Sequence, residues 1–149
     1  MLSDTYRAVV ASKFEDRDPS IVRAQIDEVC KYLFIISDIQ SSRFIPLTRD
    51  ADEVWHEMIV QTVLYAELCR SLPGGTFIHH ESIGMDGYSE RVGHRESVAQ
   101  FLEWVPEYTS RFGPFTIEAA EHWAVVNFLR DEVGLSLEAI NALKFENAA

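Results

Sequence analysis

Basic residues are scarce in this sequence. Its 149 residues include 13 lysines and arginines against 24 aspartates and glutamates, which gives a formal net charge of −11. An acidic chain is repelled by the phosphate backbone of nucleic acid and by the anionic surface of a membrane. We therefore expect neither nucleic acid nor a membrane as a direct partner.

Cysteines and long apolar runs are scarce as well. The two cysteines, Cys30 and Cys69, form no C-x-x-C pair and no regularly spaced framework. A reducing, cytoplasmic location is the simplest interpretation. The first 18 residues mix acids among the apolar positions and so do not resemble a secretory signal. No stretch reaches the roughly 20 apolar residues that a membrane-spanning helix needs.

The motifs of the common catalytic classes are also missing. The sequence contains no G-x-S-x-G, no P-loop, no G-x-G-x-x-G and no H-E-x-x-H. A di-iron helical bundle needs two E-x-x-H pairs. Here Glu118 and His122 lie four residues apart, which supplies at most one irregular half. We expect His94 and His122 to be surface or packing residues.

The sequence is 47% apolar and 25% charged. Its apolar residues recur with the 3.6-residue period of an α-helix. It predicts an all-α fold, a single-domain helical bundle of five or six helices over residues 1–149. The predicted helices are 5–14, 21–39, 54–68, 94–111, 117–132 and 136–145, with Ser20 capping the second. The predicted core comprises Val29, Leu33, Phe34, Val54, Met58, Val63, Leu64, Phe101, Leu102, Trp123 and Phe128.

Residues 50–80 stand at the centre of this prediction. Residues 54–68 are apolar on most sides, which is typical of a buried central helix. Asp50 and Glu53 have the spacing of a capping pair at its start. The sequence Pro73-Gly74-Gly75 ends it, and an extended segment with two histidines follows.

The same stretch holds three histidines and an aspartate within 29 residues. Asp52 and His56 are four residues apart and share a helix face. His79 and His80 are adjacent, so in an extended segment only one of them faces His56. Imidazole and carboxylate suit a divalent metal such as Zn, Fe, Mn or Cu. We therefore predict either a metal site of Asp52, His56 and His79 or His80, or acid/base catalysis by Asp52, His56 and His80.

Structural roles explain the same residues without any site. A carboxylate at position 52 is stabilised by the helix dipole, and His56 could be a core histidine bonded to it. Trp55 and Cys69 lie on one stripe, as expected for packing on a neighbouring helix. Tyr65 follows His56 by nine residues, half a rotation on a continuous helix, so the two should not share a cavity.

Residues 81–93 contain Gly84, Gly87 and Gly93 and show little periodicity. A connection of this length is either a functional lid or a plain flexible loop. Both interpretations stay open.

Residues 44–80 resemble one known family. The run F-I-P-L-T-R-D-A-D-E-V-W-H-E-M-I-V-Q-T-V-L-Y-A-E-L-C, followed by G-T-F-I-H-H, resembles the glycine-rich domain-containing-protein-like family. The resemblance rests on an Asp-x-x-Trp-His element followed by Tyr, Cys, Gly and a histidine pair. It implies a shared fold and a site that includes Asp52, Trp55, His56, Tyr65, Cys69 and His79 or His80. It implies no particular activity, and no glycine-rich tail follows in this sequence.

Three functions remain open on the sequence alone. The chain is a small enzyme acting on a metabolite, with the histidines and Asp52 as metal ligands or as acid and base. Alternatively, it is a helical interaction module in which these residues are structural. The third possibility is an accessory subunit whose acidic surface binds a basic protein partner.

Overall fold

The computed structural model of the chain describes residues 2–39, 45–80 and 94–145, with side chains from residue 99 onward in the last range. Over these ranges the chain forms eight α-helices and no sheet. The all-α prediction is confirmed. The helices outnumber the predicted five or six because two of the predicted helices are each divided in two. None of the described helices is both long enough and apolar enough to cross a bilayer.

Backbone contacts group the chain into two compact units. The first unit comprises residues 1–41 and 49–80, and its helices are α1 (Asp4–Ala11), α2 (Pro19–Ile39), α3 (Arg49–Val60) and α4 (Thr62–Ser71). The second comprises residues 42–48 and 81–149, with α5 (His94–Phe112), α6 (Ile117–Ala120), α7 (Ala124–Asp131) and α8 (Leu137–Asn141). The single domain expected for residues 1–149 stays a prediction.

The start of α2 differs from the prediction. Asp18, not Ser20, is the capping residue, because its carboxylate accepts hydrogen bonds from the Ser20 backbone N–H (2.8 Å) and hydroxyl (2.7 Å). These bonds hold the pKa of Asp18 below its usual range. Pro19 occupies the first helical position, where its missing N–H costs nothing. The helix therefore begins two residues earlier than predicted.

The predicted central helix 54–68 is interrupted at Gln61, whose backbone (φ −81°, ψ 69°) is not helical. In α3 the buried residues are Ala51, Val54, Trp55 and Met58, and in α4 they are Tyr65, Leu68 and Cys69. The last carbonyl groups of a helix lack intrahelical partners. The buried Tyr6 hydroxyl donates a hydrogen bond of 2.6 Å to one of them, the Met58 carbonyl.

This break explains part of the error in the predicted core. Val29, Leu33, Val54, Met58 and Trp123 are buried as predicted. Val63, by contrast, is 71% exposed and Leu64 is only half-buried, because α4 does not continue the register of α3. Phe34 and Phe128 are exposed, whereas Phe101 and Leu102 are half-buried.

The predicted helix 117–132 is also divided, at residues 121–123, where Trp123 has an extended backbone (φ −112°, ψ 111°). Residues 46–48 form backbone hydrogen bonds with the residues at this break. The Thr48 N–H donates to the His122 carbonyl (3.0 Å). With Trp123 outside the helix, the buried positions of α7 are Val125, Val126 and Leu129, which leaves Phe128 facing outward.

Aromatic rings form the centre of the second unit. Trp123 contacts the rings of Trp104, Tyr108 and Phe115 at centroid distances of 6.3, 5.2 and 5.8 Å. The helix carrying Trp104 and Tyr108 continues past Pro106 to Phe112, so Pro106 does not shorten α5. The last helix ends at Asn141, four residues before the predicted end, and the Asn141 side chain bonds to both backbone groups of Phe115 (2.7 and 3.1 Å).

Substitution of two valines, one in α3 and one in α4, tests the break between these helices. Val54 is fully buried and Val63 is 71% exposed, although both were predicted to be core residues. We expect Val54→Ala to lower the free energy of unfolding by about 2 kcal/mol through lost apolar burial and a residual cavity. Val63→Ala should change it by less than about 0.5 kcal/mol. Urea unfolding of both variants measures the difference, and equal losses would contradict the break at Gln61.

Candidate metal centre

Three polar side chains of the first unit converge on one point. Helix α3 carries two of them one turn apart, with 3.3 Å between His56 Nε2 and Asp52 Oδ2. The third is His80, whose Nε2 lies 2.8 Å from Asp52 Oδ1 and 2.9 Å from His56 Nε2. One ligand atom from each residue lies within 4.8 Å of the other two. We call Asp52, His56 and His80 the triad.

A tight turn after α4 brings His80 back to α3. The Gly75 N–H donates to the Leu72 carbonyl (3.0 Å), and Gly75 has φ 64°, a left-handed conformation that glycine adopts without strain. The Gly74 N–H donates to the hydroxyl of Ser37 in α2 (2.8 Å). The turn is thus attached to α2, and residues 76–80 run back along the helix pair.

Two buried aromatic residues lie beneath this returning segment. The Tyr65 hydroxyl donates to the Ile78 carbonyl (2.6 Å) and accepts from the Trp55 indole N–H (3.1 Å). The Trp55 ring in turn lies 4.2 Å from the His80 ring, centroid to centroid. Trp55 also packs edge-on against Tyr32 of α2, with 5.1 Å between the ring centroids. Trp55 therefore packs against a neighbouring helix, as expected, and also contacts His80 of the triad.

The hydroxyl groups of Tyr65 and Tyr32 stay protonated. Burial raises the pKa of Tyr65 above its usual range. Burial, and then the negative charge of Asp52, raises the pKa of Tyr32 in the same direction. Neither phenol therefore adds negative charge near the triad, and the Tyr65 hydroxyl keeps the proton that it donates to Ile78.

The triad is closed on one side and open on the other. The His80 side chain is 10% exposed and that of Asp52 is 28% exposed. The His56 side chain is 55% exposed. Solvent and small molecules therefore have access from the His56 side, while the Trp55 ring covers His80.

His79, the fourth predicted site residue, lies outside the triad. It is exposed, and its ring contacts Phe77 at 4.8 Å. Adjacent residues of an extended segment point to opposite sides, and here the inward one is His80. The catalytic or metal-binding role of Asp52, His56, His79 and His80 stays a prediction.

The hydrogen-bond roles of the two imidazoles in the triad depend on where their protons lie. An imidazole Nε2 has a single in-plane position, which holds either a proton or a lone pair. If His80 donates to Asp52, then His56 must present its lone pair to His80 and cannot also donate to Asp52. If both nitrogens carry protons, two N–H groups face each other at 2.9 Å. A cation at the centre can accept one lone pair from each of the three residues.

The spacing of the triad also fits a metal. Zn–N bonds of about 2.0–2.1 Å in a tetrahedral site place ligand atoms roughly 3.3 Å apart, and right-angled bonds of that length place them roughly 2.9 Å apart. The two separations from His80 Nε2, 2.8 Å to Asp52 Oδ1 and 2.9 Å to His56 Nε2, lie close to the lower end of this interval. The 3.3 Å contact of His56 Nε2 is with the other carboxylate oxygen, Asp52 Oδ2.

Sequence reasoning missed the contribution of Tyr65. Tyr65 would lie half a rotation from His56 only on a continuous helix, and the helix is broken at Gln61. The family resemblance was the available signal, since it included both Trp55 and Tyr65. Residues 81–93, for which a lid and a plain loop were both left open, lie outside the described residues.

A separate pocket of about 460 Å³ lies between α1 and α2, with Phe14, Val22 and Ile26 among its lining residues. It does not include the triad. Two arginines at its edge are already paired, Arg7 with Asp27 (2.7 Å) and Arg17 with Glu53 (2.5 Å). We assign no function to it.

Comparisons of this chain with protein-family models, curated proteins and solved structures find no match. The resemblance to the glycine-rich domain-containing-protein-like family stays an expectation from the residues quoted above.

The adjacent histidines should differ in chemical reactivity. His79 is exposed, whereas the His80 side chain is 10% exposed. We expect diethyl pyrocarbonate to modify His79 of the native protein well before His80, because the reagent needs access to a ring nitrogen. Fragment-ion mass spectrometry separates the two sites, and unfolded protein serves as the control. Equal rates in the native protein would place His80 at the surface.

Proposed function

We propose that this protein is a metal-dependent enzyme acting on a small molecule, with a divalent first-row metal held by Asp52, His56 and His80. The observation that supports the proposal is the convergence of Asp52 Oδ1, His56 Nε2 and His80 Nε2, with His80 Nε2 within 2.9 Å of both other atoms.

The ligand set narrows the choice of metal. Two imidazoles and one carboxylate, with open positions, are typical of catalytic zinc and of non-haem Fe(II) sites. Both cysteines are free, and neither belongs to the triad. The set therefore favours Zn²⁺ or Fe²⁺ over Cu(I), which prefers sulfur ligands. Mn²⁺ and Cu²⁺ also bind nitrogen and oxygen ligands, but this ligand set is less characteristic of them.

Three protein ligands favour catalysis over a purely structural role. Structural zinc sites are almost always closed by four protein ligands, whereas catalytic sites keep a position for water or substrate. The half-exposed His56 side chain gives that position access from solvent. A bound ion would supply Lewis-acid chemistry there. Asp52, His56 and His80 would hold it.

The acidic chain and its free cysteines agree with a small-molecule substrate and a cytoplasmic location. The net charge of −11 disfavours nucleic acid as substrate. Cys30 and Cys69 are unpaired by disulfide, and burial raises the pKa of the Cys30 thiol to about 12. Such a thiol is poorly reactive, so Cys30 is not expected to take part in the chemistry.

A second function has an observation in its favour. The triad joins the returning segment to α3, and Trp55 packs on His80. A metal in this place, or the hydrogen bonds alone, would fasten residues 76–80 to the helix pair. The protein would then be a non-catalytic helical interaction module, and loss of the triad would lower stability without removing an activity.

Substitution of the adjacent residues His79 and His80 tests metal binding. We expect His80→Ala to weaken Zn²⁺ binding by at least about 100-fold, since even changes outside the ligand set cost 10–100-fold. His79→Ala should bind within about twofold of the unsubstituted protein. Competition titration with a chromogenic chelator measures both dissociation constants. Equal affinities of the two variants would remove His80 from the ligand set.

Bound metal should also stabilise the fold. A ligand at 100 times its dissociation constant adds about 2.7 kcal/mol to the free energy of unfolding. We expect this gain in thermal or urea unfolding of the unsubstituted protein and of His79→Ala. Asp52→Asn and His56→Gln should lose it. A gain that persists in both ligand variants would place the metal elsewhere.

The open position distinguishes an enzyme from a closed structural site. In the Co²⁺-loaded protein, azide or acetohydroxamate should bind at the open position and change the visible absorption of the ion. A site closed by a further protein ligand gives no change at moderate anion concentration. That result would favour the interaction module.

A further inference from the structure

A hydroxyl group outside the triad bonds to the backbone just before His80. His80 lies in residues 76–80, a segment without helix or strand. In that segment the Ile78 carbonyl accepts a hydrogen bond of 2.6 Å from the Tyr65 hydroxyl. Ile78 is two residues before His80, and its side chain is buried. The Tyr65 hydroxyl therefore holds the backbone immediately before the ligand.

The same hydroxyl also orients the ring that lies against His80. The Trp55 indole N–H donates to the Tyr65 oxygen (3.1 Å), and the Trp55 ring lies 4.2 Å from the His80 ring. Both aromatic side chains are almost completely buried, at 1% exposure or less. A single phenol oxygen thus links the backbone that carries His80 to the surface on which its imidazole rests.

Trp55 and His56 follow Asp52 in α3 by three and four residues, so each of them is a neighbour of Asp52 on the helix surface. His80 is consequently held from three directions. Its Nε2 faces Asp52 and His56, its ring face meets Trp55, and its backbone is fixed through Ile78.

We propose that Tyr65 and Trp55 are positioning residues, which hold the His80 imidazole with Nε2 directed at Asp52 and His56 and so preform the metal site. This inference rests on the proposed metal site. Groups that orient a metal ligand without touching the ion raise its affinity by reducing the ordering that binding requires. Burial raises the pKa of Tyr65, which agrees with its role as a constant donor.

The chain offers a matched control for the Tyr65 hydroxyl. Tyr6 is also buried in the first unit, and its hydroxyl also donates a 2.6 Å hydrogen bond to a backbone carbonyl, that of Met58. Tyr6→Phe and Tyr65→Phe each remove one buried hydroxyl of the same kind. They differ in that only the Tyr65 hydroxyl connects to Ile78 and Trp55.

The experiment measures the Zn²⁺ dissociation constants of the full chain, of Tyr65→Phe and of Tyr6→Phe by chelator competition. We expect Tyr65→Phe to bind 10- to 100-fold more weakly, at roughly the cost known for residues that support a ligand. Tyr6→Phe should bind within about twofold of the unsubstituted protein. Trp55→Phe, which keeps a ring but lacks the N–H donor, should follow Tyr65→Phe. Circular dichroism verifies that each variant is folded.

A metal-free measurement separates the failure of this inference from the failure of the proposed function. In the apo protein, the His80 ring protons should show an upfield NMR shift from the Trp55 ring, a shift reduced in Tyr65→Phe and retained in Tyr6→Phe. If the unsubstituted protein binds no Zn²⁺, the metal proposal fails and this NMR comparison still decides the positioning role. Equal effects of Tyr65→Phe and Tyr6→Phe on affinity or on the His80 shift would reduce Tyr65 to an ordinary core residue.

Discussion

The hydrogen bond between Trp55 and Tyr65 exists because the chain leaves the helix at Gln61. Ten residues of a continuous helix would separate the two side chains by about 15 Å along the axis. Their polar atoms instead lie 3.1 Å apart, since α3 and α4 are separate helices that pack on each other. The break also leaves the Met58 carbonyl near the end of α3, where Tyr6 bonds to it. The break at Gln61 thus allows the Trp55–Tyr65 contact, and the turn at Gly74 and Gly75 returns the chain to it.

The triad brings two imidazole nitrogens and one carboxylate into direct contact. His80 is the least exposed member and is held by aromatic packing. His56 is the most exposed and faces solvent. This asymmetry is what a metal site with one accessible position requires: a rigid inner side and an open outer side.

The sequence could predict the all-α class, because the helical period of the apolar residues is strong in both halves of the chain. It could also predict that Asp52 and His56 lie on one face and that a histidine returns after Pro73, since helix geometry and a turn sequence decide both. It could not predict the breaks at Gln61 and at residues 121–123. No proline or glycine marks them, and tertiary contacts such as those of Trp123 override a continuous helical pattern. The choice between His79 and His80 likewise depended on the path of residues 76–80, a segment whose Ile78 carbonyl accepts a hydrogen bond from Tyr65.

The most direct test of the central claim is the zinc K-edge X-ray absorption spectrum of the protein loaded with one equivalent of Zn²⁺. The triad predicts a first shell of nitrogen and oxygen atoms at about 2.0–2.2 Å, with outer-shell scattering from two imidazole rings and no sulfur at about 2.3 Å. The scattering of one imidazole should disappear in His80→Ala and persist in His79→Ala. A sulfur shell, or a spectrum with two imidazoles in His80→Ala, would contradict the triad as the metal site.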